Sequence, residues 1–329
     1  MSILKAVATN KIEDVIQLLA APGIDVNKAS NNGWTALMMA SYYGHIEIVQ
    51  LLLAHPGIDV NKVGKNDDWT ALIEASFYGH ADVVKLLLAV KGIDVNLADR
   101  AGKTALWFAS ENEETETVQL LLAVEGIDVN LTDDDGWTAL ISSSEYGHTA
   151  IVQLLLAVDG IDVNKASDSG WTVLIVASFH GHADIIKLLL AHPGIDVNKA
   201  NNNGDTALMW ASQKGFTAVV KLLLTAPGID VNMEANYSRT ALMGANKRGH
   251  TATVQLLTEA NDPFLVKKNR RVRQWKLLPV RLQRLFEWKR EIGKNENAKL
   301  VDLWLAEHGL IHWQSSKYEK ICAKRRRMS

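Results

Sequence analysis

Thr35-Ala36-Leu37-Met38-Met39-Ala40-Ser41-Tyr42-Tyr43-Gly44-His45-Ile46-Glu47-Ile48-Val49-Gln50-Leu51-Leu52-Leu53-Ala54-His55-Pro56-Gly57-Ile58-Asp59-Val60-Asn61 is one copy of a unit that recurs along most of the chain. Its closing string, Gly-Ile-Asp-Val-Asn, begins at Gly23, Gly57, Gly92, Gly126, Gly160, Gly194 and Gly228, at intervals of 34 residues with a single 35. Its opening string, Thr-Ala-Leu, returns at Thr70, Thr104, Thr138, Thr206 and Thr240, and as Thr-Val-Leu at Thr172. One such unit cannot bury its own apolar face, so neighbouring units must stack into a continuous core.

Each unit reads as two short helices and a turn. Thr35 is a suitable N-cap, its hydroxyl taking a free N–H of the first helical turn. Leu37 and Ala40 lie one turn apart, and Gly44 supplies the left-handed residue that ends the first helix. The second helix presents Ile46, Val49, Leu52 and Leu53, and Pro56-Gly57 stops it. The polar stretch Lys28-Ala29-Ser30-Asn31-Asn32-Gly33 provides hairpin residues. Counted from Ser2, Thr35, Thr70, Thr104, Thr138, Thr172, Thr206 and Thr240, residues 1–262 hold about eight helix pairs, the first without its hairpin. The outer units are wetted by Lys5, Lys11, Glu13 and Gln17 at one end and by Thr251, Thr253 and Thr258 at the other.

In-register recurrence of Gly-x-Thr-Ala-Leu, Ala-Ser-x-x-Gly-His, Val-x-Leu-Leu-Leu and Asp-Val-Asn resembles the ankyrin-repeat proteins over about residues 1–262. The fold class implied is an all-α solenoid of helix-turn-helix units with hairpin loops. Two features depart from the family pattern. Thr-Pro-Leu-His becomes Thr-Ala-Leu followed by Met38, Ile73, Trp107, Ile141, Met209 or Met243, with Ile175 after Thr-Val-Leu, and the period is 34 where the family usually has 33. The resemblance implies a non-catalytic scaffold or adaptor that binds other proteins through hairpin tips and a concave inner-helix face. It also implies asparaginyl hydroxylation, whose pattern places a Leu eight residues before the Asn of Asp-Val-Asn. Asn27, Asn61, Asn96, Asn130, Asn164, Asn198 and Asn232 meet that pattern, and each is first a structural turn residue.

Residues that differ between otherwise identical units are where a partner is specified. The residue closing each hairpin, read as following its glycine, is Trp34, Trp69, Lys103, Trp137, Trp171, Asp205 and Arg239. The pair before each Gly-His turn is Tyr42-Tyr43, Phe77-Tyr78, Glu111-Asn112, Glu145-Tyr146, Phe179-His180, Gln213-Lys214 and Lys247-Arg248. Trp34, Tyr42, Tyr43, Trp69, Phe77, Tyr78, Trp137, Tyr146, Trp171 and Phe179 are therefore the candidate partner-binding residues, since large amphipathic rings bury much area at little entropic cost. The alternative reading has each Trp covering its neighbouring hairpin. Asp133, Asp134 and Asp135 form an acidic hairpin tip.

Catalytic, metal and cofactor sites are not expected. His45, His80, His148, His182 and His250 lie one per unit, too far apart to share a metal that needs ligands within about 2.1 Å, and read as turn residues. Gly102-Lys103-Thr104 lacks the earlier glycine of a phosphate loop, and Asp133–Asp135 lacks calcium-loop spacing. His308 and His312 read as surface residues.

The 329 residues carry a formal charge of −2, which is a cancellation. Residues 1–262 hold 17 Lys and Arg against 31 Asp and Glu, whereas 263–329 hold 18 against 6. After Pro263 the period vanishes. Residues 263–313 read as a helical extension or cap, with helices suggested by Leu282, Leu285, Phe286 and Ile292, and by Leu300, Val301, Trp304 and Leu305. Residues 314–329 read as a basic tail. Lys267, Lys268, Arg270, Arg271 and Arg273, with Lys324, Arg325, Arg326 and Arg327, form a basic targeting patch open to three readings: nuclear import or nucleic-acid contact, anionic lipid contact, and intramolecular contact with the acidic array. Leu277-Leu278-Pro279 with Leu282 and Leu285 resembles boxes by which some ankyrin proteins join ubiquitin ligases, although the Leu-Cys element of one such box is absent. Two functions stand beside the scaffold: a nuclear regulator touching nucleic acid, and a substrate adaptor of a ubiquitin ligase. The lone Cys322, the absence of a signal-like N-terminus and the absence of an 18-residue apolar run lead to an expectation of a cytoplasmic or nuclear monomer.

Overall fold

The computed structural model describes residues 2–261. The expected extension, the basic tail and every residue of the basic patch lie outside the described residues. Eight helix pairs follow one another: α1 (Ile3–Ala8) and α2 (Ile12–Leu19), α3 (Ala36–Tyr42) and α4 (Ile46–Leu53), α5 (Ala71–Phe77) and α6 (Ala81–Leu88), α7 (Ala105–Glu111) and α8 (Thr115–Leu122). Then come α9 (Ala139–Tyr146) and α10 (Thr149–Leu156), α11 (Val173–His180) and α12 (Ala183–Ala191), α13 (Ala207–Lys214) and α14 (Thr217–Leu223), α15 (Ala241–Lys247) and α16 (Thr251–Asn261). First helices pack on first helices and second on second, so the array has two helical layers. No described helix is long and apolar enough to cross a membrane.

The capping threonines start the first helices. In all seven repeats that carry one, the hydroxyl accepts the N–H three residues on, at 3.2 Å from Met38, Ile73, Trp107 and Ile141, 3.3 Å from Ile175 and Met243, and 3.4 Å from Met209. Such a bond satisfies one of the donors a helix start leaves free. The core between the layers is built from repeat-equivalent residues, among them Leu37, Ile48, Val49 and Leu52, then Leu72, Val83, Val84 and Leu87, all buried.

Three hydrogen-bond ladders stitch the units. Each Asp-Val-Asn asparagine reaches its successor: Asn130 Nδ2 donates to the Gly160 carbonyl at 2.9 Å, and its Oδ1 accepts from Asp162 N–H at 2.8 Å. The same pair of bonds is made by Asn27, Asn61, Asn96, Asn164 and Asn198. Asn232, which follows the seventh helix pair, donates to the Asn261 side chain instead. The turn histidines form the second ladder, with Nε2 of His80, His148, His182 and His250 facing the carbonyls of Tyr42, Glu111, Glu145 and Gln213 at 2.9–3.0 Å. The third joins hairpin backbones, N–H to C=O: Arg100 to Asp67, Asp134 to Ala101, Asp168 to Asp135, Asn202 to Ser169, Asn236 to Asn203.

One expectation is corrected. Trp69 and Arg239 do not follow a hairpin glycine: Asp68, at φ 58°, and Ser238, at φ 52°, take the slot that Gly33 fills at φ 85°. The hairpin before Trp69 holds the extra residue that makes the one 35-residue interval, and Asp67 Oδ1 accepts the Trp69 N–H at 3.4 Å within it. At Ser238 the neighbouring Tyr237 is also left-handed, at φ 63°.

Candidate functional site

Along the first-helix face the candidate rings form two groups. In the first, Trp34 meets Tyr42 at 5.3 Å, Tyr42 meets Tyr43 at 4.7 Å and Tyr78 at 4.6 Å, and Phe77 meets Tyr78 at 4.8 Å. Trp69 lies 5.2 Å from Phe77 and 4.7 Å from Phe108, which in turn meets Trp107 at 5.4 Å. In the second, Trp171, Phe179 and Trp210 are mutually in contact at 5.0–5.5 Å, and His180 meets Phe179. Trp137 and Tyr146 fall between the groups. Trp137 is half-buried against the core, and Tyr146 stacks on His148 at 5.9 Å with its hydroxyl 3.5 Å from Glu111 Oε1.

Exposure separates the rings by role. Tyr43, Tyr78 and Tyr146 are 47%, 41% and 55% exposed, whereas Trp34, Trp69, Trp137, Trp171, Tyr42 and Phe77 are half-buried. The tryptophans thus cover the core with one edge and leave the other to solvent. Trp69 also donates from Nε1 to Asp99 Oδ2 at 3.3 Å, tying its ring to the next hairpin.

Acidic side chains occupy the stretch between the groups. Burial raises the carboxyls of Glu111, Glu145 and Asp133 above the usual range, partly offset at Glu111 by nearby Lys103 and at Asp133 by the backbone N–H groups of Trp137 and Asp135 and then by Lys103. Asp133 is also a turn residue: its Oδ1 accepts the N–H of Asp135 at 3.1 Å and of Trp137 at 2.8 Å. Asp134 and Asp135 point their exposed side chains outward while their backbones join the hairpin ladder. Toward the other end the face turns basic, with Lys214, Lys247 and Arg248 exposed and Arg239 paired to Asp205 at 3.1 Å.

Three residues of this face were not among the compared positions: Glu74, Phe108 and Trp210. The signal was available in the self-alignment of the units. Four residues after the capping threonine stand Met39, Glu74, Phe108, Ser142, Val176, Trp210 and Gly244, as variable as the positions that were compared. Lys103 Nζ sits 3.6 Å over the Trp107 ring and Lys214 Nζ 4.0 Å over Phe179, so ring faces here hold cations of the chain itself.

The capped helix pairs, hairpin ladder and in-register asparagines define an ankyrin array, and the chain belongs to the ankyrin-repeat family. The family model for ankyrin repeats, three copies long, matches residues 3–99, 90–167, 106–201, 160–235 and 193–269. Among solved structures, the chain is similar to the ankyrin repeat domain of Bcl-3, a member of the IkappaB family. The identity is 29% and the TM-score 0.60, over 68% of this chain and 97% of that one. It is likewise similar to the ankyrin repeat protein EF0377, at 30% identity and a TM-score of 0.56, over 62% and 100%. No curated protein matches the sequence. Ankyrin repeats generally mediate protein–protein interaction, and the family is typically non-catalytic.

Proposed function

We propose that this protein is a non-catalytic scaffold that binds one partner protein along its first-helix face, and that the bound segment of the partner is basic. The observation that carries the reading is the alternation on that face: two half-exposed aromatic groups on either side of carboxylates whose charge is already partly desolvated. Aromatic groups of this kind supply the anchors of protein interfaces, and complementary charge sets register and steers encounter. The nuclear-regulator and ligase-adaptor readings rest on residues 263–329, outside the described residues, and no observation on the array favours them.

Proximity labelling with the full chain identifies candidate partners, and a double substitution decides whether they use this face. Tyr43→Ala with Tyr78→Ala removes two exposed rings that the core does not need. The expected outcome is at least a tenfold loss of partner affinity with little change in melting temperature. Unchanged affinity would remove the first aromatic group from the interface.

A further inference from the structure

Glu74 is the one acid in a helix column otherwise filled by Met39, Phe108, Ser142, Val176, Trp210 and Gly244. It is only 2% exposed, yet no hydrogen bond or ion pair to its carboxyl is made among the described residues. The nearest arginine in the adjoining hairpins, Arg100, is committed to Asp68 at 3.3 Å and to the Lys65 carbonyl at 2.7 Å. A buried carboxyl without a partner is costly, and burial first, then the charge of Asp67, push its pKa to about 8. Such a cost stabilises nothing in the free fold, which points to a ligand.

Its surroundings say which kind. Glu74 lies on α5 close to Tyr78, the C-cap of that helix, and Tyr78 belongs to the first aromatic group with Tyr42, Phe77, Trp69 and Phe108. At one end of this first group Lys103 covers Trp107 and lies 5.9 Å over Phe108, and in the second group Lys214 covers Phe179. No such cation covers the rings of Trp69, Phe77, Tyr42 or Tyr78 among the described residues. Within the first group the Trp107 and Phe108 end thus carries a cation, and the rings of Tyr42, Trp69, Phe77 and Tyr78 carry none among the described residues.

Resting on the scaffold reading above, we infer that Glu74, with the neighbouring rings of Tyr78 and Tyr42, receives a lysine or arginine side chain of the bound partner. The aliphatic stem lies along the rings and the cationic head pairs with the Glu74 carboxylate. Tyr78, well exposed, is the ring that must turn aside to admit it. Because the empty site holds its proton up to about pH 8, accommodating a cation releases that proton, and binding strengthens as pH rises toward 8. Of the neighbouring groups, Asp67 in the hairpin raises the Glu74 carboxyl further, Tyr78 at the C-cap of α5 feels its charge, and Tyr42 on α3 packs on Tyr78 at 4.6 Å. The buried faces of α6 and α7 contribute Val83, Val84, Leu87, Trp107 and Phe108, none of which titrates.

The test selects a displayed library of random 12-residue peptides on the full chain and measures retained peptides against Glu74→Gln and Glu74→Asp. Support is a fixed Lys or Arg in the selected peptides, an affinity at least tenfold weaker on Glu74→Gln at pH 8, and partial retention on Glu74→Asp. Affinity should also rise up to tenfold per pH unit between pH 6 and 8 for the wild type and stay flat for Glu74→Gln. Peptides that compete with one another on the array, lack a fixed basic residue and bind Glu74→Gln equally well overturn this inference and leave the scaffold reading standing. A library from which nothing is retained overturns both. Thermal melts show that each variant is folded, which Glu74→Gln favours because it removes the costly charge.

Discussion

A carboxyl that costs stability in the empty protein should announce itself in a pH titration of folding. For Glu74 the native pKa of about 8 lies above the usual value near 4.5, so the unfolded chain gives up its proton first. Its contribution is fully present below about pH 4.5 and is lost as pH rises through 8, at up to about 1.4 kcal/mol per unit. Urea titrations between pH 5 and 8 should show wild-type stability falling with pH, and a visibly shallower fall in Glu74→Gln. Parallel slopes would show that another group sets the dependence. Glu74 also marks where sequence reading stopped. The capping threonines, turn histidines and ladder asparagines were legible because each role needs one residue type at one spacing. Glu74 was not, because a single Glu on a short helix reads as a solvated face until burial is known. The error at Asp68 and Ser238 has the same origin: the left-handed slot was inferred from the other hairpins, and these two tolerate it without glycine.

At the scale of the element, the first helices share a liability. Ser41, Ser76, Ser110, Ser144, Ser178 and Ser212 occupy one register position, each fully buried, and the hydroxyl of each has no hydrogen-bond partner among the described residues. Alanine fits the same space, is the better helix former and strands no polar atom. Ser144→Ala should therefore stabilise the protein by about 1 kcal/mol, read as a higher urea midpoint. A loss of stability would mean that the hydroxyl is bonded in solution. The Ala-Ser string was plain in the sequence, but whether its hydroxyl found a partner depended on helix packing that periodicity does not encode. The rings behaved alike. Their register was legible, while their division into two groups depended on Phe108 and Trp210, which lie one helical turn deeper than the positions compared.

Over the whole array, stability is a sum of units and the interfaces between them. Asn130→Ala deletes two bonds that link neighbouring interior units and should cost about 1–2 kcal/mol. Asn232→Ala deletes a single side-chain bond near the end of the array and should cost clearly less, a difference that paired urea unfolding curves resolve. Equal losses would argue that the bonds are replaced by water at no cost. The two-layer architecture was readable from the 34-residue period, because stacking is the only way units of this size bury their apolar faces.

The lengthened hairpin around Asp68 interrupts that regularity. Its neighbour's tip, around Gly33, shares no backbone bond with it, and the hairpin ladder starts only at the Arg100 to Asp67 step. Stretched between its two ends, the array lacks at this seam the hairpin bond that the five later seams carry. The two leading helix pairs should peel away at a lower force than the stack behind them, leaving Trp34 and Tyr42 on one side of the tear and Trp69 and Tyr78 on the other.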